Sequence, residues 1–455
     1  MTTDHINIED SNVVFTKEMK KDYTILIPDM SSIHFSLFKN VFEQYGYKVE
    51  ILKNEGSSVV NEGLKYVHND ICYPALLVIG QMIDALNSGK YDLNKVALII
   101  SQTGGGCRAS NYIHLLKKAL KKAGYSNIPI ISFNVKGLEK NSGFKLTLPL
   151  INKLLVALTY GDMLMLLKNQ VKPYEISKGS SENLVDFWIN HLGRQFEHDK
   201  GYKIKEINRN LERIVKSFGE IPVFNEKKIK VGIVGEIYVK YSKLGNNHLE
   251  DFLISEDCEI MVPGIMGFAM YTVDNSMVDV DIYGGSKIKR TSASLIMKYL
   301  RMYENMIIRA VKKYSNFTPP SSFEHLKSLS ADIINEGCKM GEGWVLTAEM
   351  VDLVKMGYEN IVCTQPFGCL PNHIVGKGMI RKIRDIYPNA NIVPIDYDPG
   401  ATKVNQENRI KLMLSVAREN QELNNPTKDC EVADIKEDSL GVKGYKIGKH
   451  LKAGN

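Results

Sequence analysis

Short apolar runs alternate with stretches of helical spacing over the first third of the chain. Four of the runs are almost wholly apolar, as in strands covered on both faces: residues 23–28, 47–52, 96–100 and 128–133. The stretches between them, including residues 72–86 and 112–123, have the spacing of helices. This alternation predicts an α/β layer with a mostly parallel sheet.

The pattern changes near residue 147 and restarts near residue 227. Apolar residues such as Ile151, Leu154 and Leu158 recur at helical spacing, which predicts a helical connection. Strand-like runs then return, with helical stretches between them: strands at 227–235, 259–263, 361–363 and 391–395, helices at 292–313 and 347–355. The sequence therefore predicts an α/β protein with two Rossmann-like lobes, mostly parallel sheets and a helical segment joining them.

These patterns set the expected domain boundaries. A polar tail, rich in lysine and asparagine, is expected to be exposed. The predicted units are a flexible arm at 1–20, an N-terminal α/β lobe at 21–146, a helical connection at 147–226, a C-terminal α/β lobe at 227–415 and the tail at 416–455.

Composition excludes several classes of protein. The chain has 455 residues, of which 44% are hydrophobic and 24% charged, close to the globular average. Its net charge of +6 is mild and its lysines stand among acids, which argues against nucleic-acid binding. The N-terminus lacks a signal-peptide pattern, and no apolar run approaches the length of a membrane span. We therefore expect a cytoplasmic protein without a membrane partner.

Four of the seven cysteines lie beside glycine or proline at predicted turns. Cys72 precedes a helix, where backbone N–H groups and the helix dipole are expected to favour a thiolate. Cys107 follows a strand and three glycines, and Cys363 and Cys369 flank a Pro-Phe-Gly turn after another strand. The remaining three cysteines lack such surroundings: Cys258, Cys338 and Cys430.

An odd number of cysteines in a large cytoplasmic chain does not indicate a disulfide framework. Zinc sites favour closely spaced cysteine pairs, and the sequence has no C-x₂-C pair. Widely spaced single cysteines on an α/β frame suit an iron–sulfur cluster better, and buried structural thiols without metal are the alternative. The glycine loop at 104–106 matches neither common nucleotide-binding motif.

Six segments between about residues 23 and 412 carry a family resemblance. The chain resembles the 2-hydroxyacyl-CoA dehydratase/benzoyl-CoA reductase-type iron–sulfur proteins, in the branch fused to or encoded beside the CoA-substrate-specific enzyme activase; double-cubane-cluster proteins are relatives. The segments are His68-Asn-Asp-Ile-Cys-Tyr-Pro-Ala, Thr103-Gly-Gly-Gly-Cys-Arg-Ala-Ser-Asn-Tyr, Val234-Gly-Glu-Ile-Tyr-Val, Gly341-Glu-Gly-Trp-Val-Leu-Thr-Ala-Glu-Met, Cys363-Thr-Gln-Pro-Phe-Gly-Cys-Leu-Pro-Asn-His and Asp396-Tyr-Asp-Pro-Gly-Ala.

The resemblance implies an iron–sulfur cluster, of the 4Fe–4S or a double-cubane type, between two Rossmann-like lobes. It implies low-potential, one-electron chemistry driven by a separate ATP-hydrolysing iron–sulfur activator protein. The chain lacks the activator's phosphate-binding motifs, so it would be the electron-receiving component. The substrate would be a CoA thioester or a small unsaturated molecule, and the assembly a homodimer or heterodimer.

Carried over by position, the implied metal ligands are Cys72, Cys107 and Cys369. Cys363 is left open, as a fourth ligand or as a ligand of a second cluster. Three ligands would leave one iron free for substrate and favour a reductive or radical dehydration step. Four would favour a non-catalytic electron-transfer or scaffold subunit. Both functions stay open at this point.

Other residues of these segments have two interpretations each. Arg108 either balances the charge of the cofactor or forms an ordinary salt bridge. Glu236 and Tyr238 either line the catalytic site or bond to the backbone of the second lobe. His373 either donates to a cluster sulfide or caps the following helix. We expect Glu349 on a helix surface or interface.

Overall fold

A computed structural model describes residues 13–68, 70–103, 105–133 and 142–424, without the side chains of the last two residues. Within these residues it shows an α/β protein with two four-stranded, all-parallel sheets, as the sequence predicts. Cys430 and the tail beyond 424 lie outside the described residues, as do residues 1–12 of the predicted arm.

The four apolar runs of the first lobe form one sheet in the order β2-β1-β3-β4. Leu26 in β1 is aligned with Leu98 in β3, which is in turn aligned with Ile130 in β4. The strands are β1 (Thr24–Pro28), β2 (Lys48–Leu52), β3 (Val96–Ser101) and β4 (Ile130–Phe133). The helices of this lobe are α1 (Met19–Asp22), α2 (Ser32–Gln44), α3 (Ser57–Tyr66), α4 (Tyr73–Asn87) and α5 (Tyr112–Ala123).

Three helices connect the lobes: α6 (Leu148–Val171), α7 (Ser180–Glu197) and α8 (Ile204–Gly219). Contrary to our expectation from the sequence, α6 is long and apolar enough to cross a membrane by length and composition. However, 72% of its most apolar window is buried inside the fold, so α6 is packed as a core helix.

The second lobe repeats the arrangement of the first, in the order β6-β5-β7-β8. Its strands are β5 (Ile229–Gly235), β6 (Cys258–Met261), β7 (Asn360–Pro366) and β8 (Asn391–Tyr397). Its helices are α9 (Ile237–Tyr241), α10 (Lys243–Asn246), α11 (Leu249–Ser255), α12 (Ile265–Tyr283), α13 (Lys287–Tyr314), α14 (Phe323–Ser330), α15 (Gly343–Lys355), α16 (Leu370–Val375), α17 (Ile380–Ile386) and α18 (Lys403–Asn424).

Helices α12 to α15 are inserted between β6 and β7. The sequence predicted the end of α15 and most of α13, but it did not predict α12. Apolar residues occur on every side of α12, so no polar face gives it a readable helical period.

Both sheets are covered on both faces, and the two hydrophobic clusters extend across both lobes. Successive residues of β1 point to opposite faces, so Ile25 joins one cluster and Leu26 the other. Val234 of β5 joins the first cluster and Ile233 the second. The lobes are therefore packed together by shared cores.

Two boundaries differ from the predicted ones. Phe15, in the predicted arm, is fully buried and accepts a backbone hydrogen bond from Gly143. Helix α18 continues to Asn424, past the predicted start of the tail at residue 416.

Candidate metal centre

The sequence-predicted loops meet where the strands of both sheets end. Cys107 follows β3 in the first lobe, while Glu236 and Cys369 follow β5 and β7 in the second. In open parallel sheets, ligands bind outside the carboxyl ends of the strands. The site therefore lies where this fold class builds binding sites, and both lobes contribute to it.

Three cysteines each stand at the start of a helix. Cys72 is the N-cap of α4, Cys107 precedes the short 3₁₀ helix Arg108–Asn111, and Cys369 is the N-cap of α16. Burial raises the pKa of each thiol, and a nearby backbone N–H opposes this rise, that of Ala75, Ala109 and Asn372 respectively. None of the three side chains forms a capping hydrogen bond with its helix. A backbone N–H near a sulfur favours its charged form.

The Cys369 loop packs directly on the Cys72 loop. The N–H of Tyr73 donates to the carbonyl oxygen of Phe367 at 2.9 Å. Gly368 has a φ of +73°, and a Cβ on it would lie 3.1 Å from the Cα of Cys72. Glycine is therefore required here for two reasons, the left-handed backbone and the close approach of the two loops.

The Cys107 loop reaches the segment before α15. The N–H of Gly106 donates to the Sδ of Met340 at 3.2 Å. Two residues further on, Glu342 is the N-cap of α15. The contact thus brings a second-lobe carboxyl group to the cysteine loops.

Glu236 and Glu342 form a buried carboxyl pair. Glu236 Oε2 accepts from the N–H of Val239 at 2.9 Å, and Glu342 Oε1 accepts from the N–H of Ile237 at 2.9 Å. Burial, followed by the charge of Glu342, raises the pKa of Glu236 to about 8. Burial also raises the pKa of Glu342. The pair therefore holds a proton at neutral pH.

The thiols are protonated rather than anionic without a metal. Burial raises the pKa of Cys72, and it raises the pKa of Cys107 to about 11. Burial, then the charges of Glu342 and Glu236, also raise the pKa of Cys369. Desolvation outweighs the backbone N–H of Ala75, which lowers the pKa of Cys72 as expected at a helix start.

Cys363 has a different environment from the other three. It lies inside β7, between Val234 of β5 and Pro394 of β8, and is fully buried. Its Sγ accepts from Gln365 Nε2 at 3.0 Å, and the same Nε2 donates to Asn372 Oδ1 at 2.8 Å. Burial raises its pKa to about 12, and the charges that act on it are carboxylates rather than the other thiols.

The other predicted site residues are distributed around this centre. Arg108 is exposed, forms no ion pair with the described residues, and its charge lowers the pKa of Cys72. Tyr238 is buried behind Glu236, and burial raises its pKa. His373 is half-buried in α16, where its N–H donates to the carbonyl of Cys369, and its ring bonds to none of the described residues.

Two residues of the motifs were not singled out from the sequence. Glu342 is one of them, although it precedes a helix between two glycines. Tyr112 is the other, and its Oη lies 3.1 Å from Cys72 Sγ. Of the two positions expected for Glu349, a helix surface is wrong and an interface remains, because the side chain is buried and both of its oxygens lie 3.1 Å from Lys240 Nζ.

The donor set fits a thiolate-bound cluster better than one ion. In the part of the chain that the structure describes, no three His, Cys, Asp or Glu side chains are grouped to hold a single metal ion. A cluster of several irons spreads its ligands more widely, and thiolates are its usual ligands. Two buried carboxyl groups and three thiols also meet here, so positive charge from irons would compensate their ionisation. The residues present therefore fit an iron–sulfur cluster.

Comparison with known proteins gave no match, either to a protein-family model or to a curated protein. The family resemblance therefore stays a prediction.

Proposed function

We propose that this protein is the iron–sulfur component of a system in which a separate ATP-hydrolysing activator supplies low-potential electrons. The observation that carries the proposal is the convergence of Cys72, Cys107 and Cys369 from two lobes, each at the start of a helix. When bound there, a 4Fe–4S cluster would supply one-electron reduction.

We assign three ligands and leave out Cys363. Its sulfur is inside β7 and bonded to Gln365, whereas the three assigned sulfurs stand at helix starts. Three thiolates leave one iron without a cysteine. This arrangement favours the catalytic alternative, a reductive or radical dehydration of a CoA thioester or small unsaturated molecule.

The chain's own residues have definable roles in this proposal. The backbone N–H groups of Ala75, Ala109 and Asn372 lie near the sulfurs and would stabilise their anionic form. The Glu236–Glu342 pair holds a proton beside the thiols, which makes it a candidate proton donor to bound substrate. Tyr112 positions Cys72 through its hydroxyl.

The partner, location and assembly follow from the same proposal. Arg108 is exposed next to Cys72, so it stands where an activator would approach the site. Extremely reducing clusters require an anaerobic, reducing compartment, which agrees with a cytoplasmic protein. We expect a homodimer or heterodimer.

The second candidate is a non-catalytic electron-transfer subunit. It is favoured by the burial of Cys72 and Cys369, which are only 5% and 8% exposed and leave little sulfur surface for a substrate. A change in the spectrum of the reduced cluster on adding an acyl-CoA would favour catalysis, and an unchanged spectrum would favour the electron-transfer role.

Anaerobic purification with iron and sulfide analysis, followed by electron paramagnetic resonance after reduction, tests the proposal. We expect about four irons per chain and a signal that is lost in Cys107→Ala. A colourless, iron-free protein from properly anaerobic cells would contradict both functions. Full iron content in Cys107→Ala would remove that residue from the ligand set.

A further inference from the structure

A second site lies away from the cysteine loops, in the helical insertion of the second lobe. A cavity of about 100 Å³ lies beside the carboxyl end of β6, lined by residues of α6, α12, α13, α14 and α15. It is smaller than the engineered cavity of about 150 Å³ that binds benzene, so its ligand can be no larger than about the size of benzene.

The cavity wall is apolar but acidic. Four methionines contribute adaptable thioether surface: Met165, Met261, Met266 and Met356. Four carboxyl side chains also line it, and no Lys, Arg or His is among the described residues that do so: Asp162, Glu304, Glu349 and Asp352. The wall therefore favours a ligand with an alkyl part and a positive charge.

Three of the four carboxyl groups already have partners. Asp162 accepts from the N–H groups of Ile265 and Met266, at 2.8 and 2.9 Å, and also bonds to His34. Glu349 is paired with Lys240. Asp352 Oδ1 accepts from the hydroxyl of Ser321 at 2.7 Å.

Glu304 is the exception. It is 8% exposed, and its Oε1 accepts from the N–H of Phe323 at 2.7 Å. Its Oε2 is buried and has no hydrogen-bond partner among the described residues. A buried carboxylate oxygen without a donor is costly, and the cavity that Glu304 lines is where a donor can be placed.

We propose that this cavity binds a small primary ammonium compound, with its N–H groups at Glu304 Oε2 and its alkyl part against the methionines. Burial raises the pKa of Glu304 to about 7, and a bound cation would offset that cost. The site stands independently of iron and of the function proposed above, because none of the cysteines lines it.

The test uses n-butylammonium and the uncharged, equally sized 1-butanol as probes, with binding measured by calorimetry at pH 8. Wild-type protein is expected to bind n-butylammonium saturably. Glu304→Gln keeps an acceptor for Phe323 but removes the charge, so it is expected to weaken n-butylammonium at least about tenfold and 1-butanol little.

Two glycine variants locate the binding. Gly267 lines the cavity, and a Cβ there would meet nothing within 4 Å, so Gly267→Leu is expected to fill the space and abolish binding. Gly219, at the exposed end of α8, has equally open surroundings, so Gly219→Leu is the matched control and should bind like wild type. Should Gly267→Leu fail to fold, Ile307→Phe fills the cavity from α13.

Three results would overturn the proposal. The first is no saturable binding of n-butylammonium by the wild type, with water as the sole occupant. The second is binding that persists in both cavity-filling variants, which would place the probe elsewhere. The third is equal n-butylammonium affinity in wild type and Glu304→Gln, which would reject the ammonium assignment. Thermal unfolding of every variant checks that the fold is kept.

Discussion

The two lobes have the same strand order but carry different groups at equivalent positions. The loop after the third strand carries a cysteine in both, Cys107 after β3 and Cys369 after β7. The helix just before that strand starts at Cys72 in the first lobe and at Glu342 in the second. After the first strand, the first lobe has Ser31 where the second has Glu236.

This difference explains how a nearly symmetric frame builds an unsymmetric site. The first lobe supplies two thiols, and the second supplies one thiol and two carboxyl groups. Glu342 stands where a symmetric protein would have a fourth cysteine. The comparison indicates that Cys363 is not that fourth ligand, since its place in β7 has no thiol counterpart in the first lobe.

The largest expected effect is a loss of bound iron when a cysteine at a helix start is replaced, compared with a cysteine inside a strand. Cys72→Ser and Cys369→Ser should each lose most of the bound iron, because each removes one of the three proposed thiolate ligands. Cys363→Ser and Cys258→Ser should keep it, since both of these cysteines lie buried inside strands. Iron and sulfide analysis of anaerobically purified variants measures the difference. Iron loss in Cys363→Ser would return that residue to the ligand set.

Breaking the buried ion pair between Lys240 and Glu349 should have the next largest effect. Lys240→Met leaves Glu349 without its partner, and breaking a buried pair costs about 3–5 kcal/mol of unfolding free energy. Lys243→Met is the control, because its pair with Asp251 is half exposed and should change stability by less than about 1 kcal/mol. Urea unfolding compares them, and equal effects would contradict the burial argument.

Substitutions at two glycines, Gly368 and Gly89, separate the contact between the two cysteine loops from the cost of a left-handed backbone. Gly368→Ala should cost about 1–2 kcal/mol for its left-handed backbone and about 1–3 kcal/mol more for its contact with Cys72. Gly89 has a similar φ of +71° but nothing within 4 Å of its Cβ position, so Gly89→Ala should show the backbone cost alone. Unfolding and iron content are measured for both. A lower iron content in Gly89→Ala would argue against a local effect at the site.

The smallest expected effect comes from Glu304, which lies in the helical insertion that the first lobe lacks. Glu304 has its pKa raised from 4.5 to about 7, so between these pH values the folded state keeps a proton that the unfolded state has released. Its contribution to stability therefore falls as pH rises through this window, by up to about 3 kcal/mol. Glu304→Gln removes this term. Its stability relative to wild type should rise from pH 4.5 to 7, and a pH-independent difference would refute the assignment.

The sequence predicted the frame well because the frame is locally encoded. The central parallel strands are buried on both faces and so appear as short apolar runs, as in β3 and β5. The positions of Cys72, Cys107 and Cys369 at turns could also be predicted, since glycine and proline next to them mark the ends of strands and helices.

The meeting of the two lobes could not be predicted from such local signals. Glu342 joins Glu236 only because α15 and β5 pack together, 106 positions apart in the chain. The same holds for Glu349, whose sequence neighbours left a helix surface and an interface open and whose partner Lys240 is 109 positions away. Neither partner is visible in the residues next to it, because long-range packing decides both.

The division of the ligands between the lobes has a consequence for how the protein is made. Cys369 leaves the ribosome roughly 260 residues after Cys107, which at ordinary synthesis rates is on the order of tens of seconds. During that interval the emerged chain carries only two of the three proposed ligand thiols. Iron that arrived then would have an incomplete set of ligands, so correct loading would have to wait until β7 has been inserted between β5 and β8.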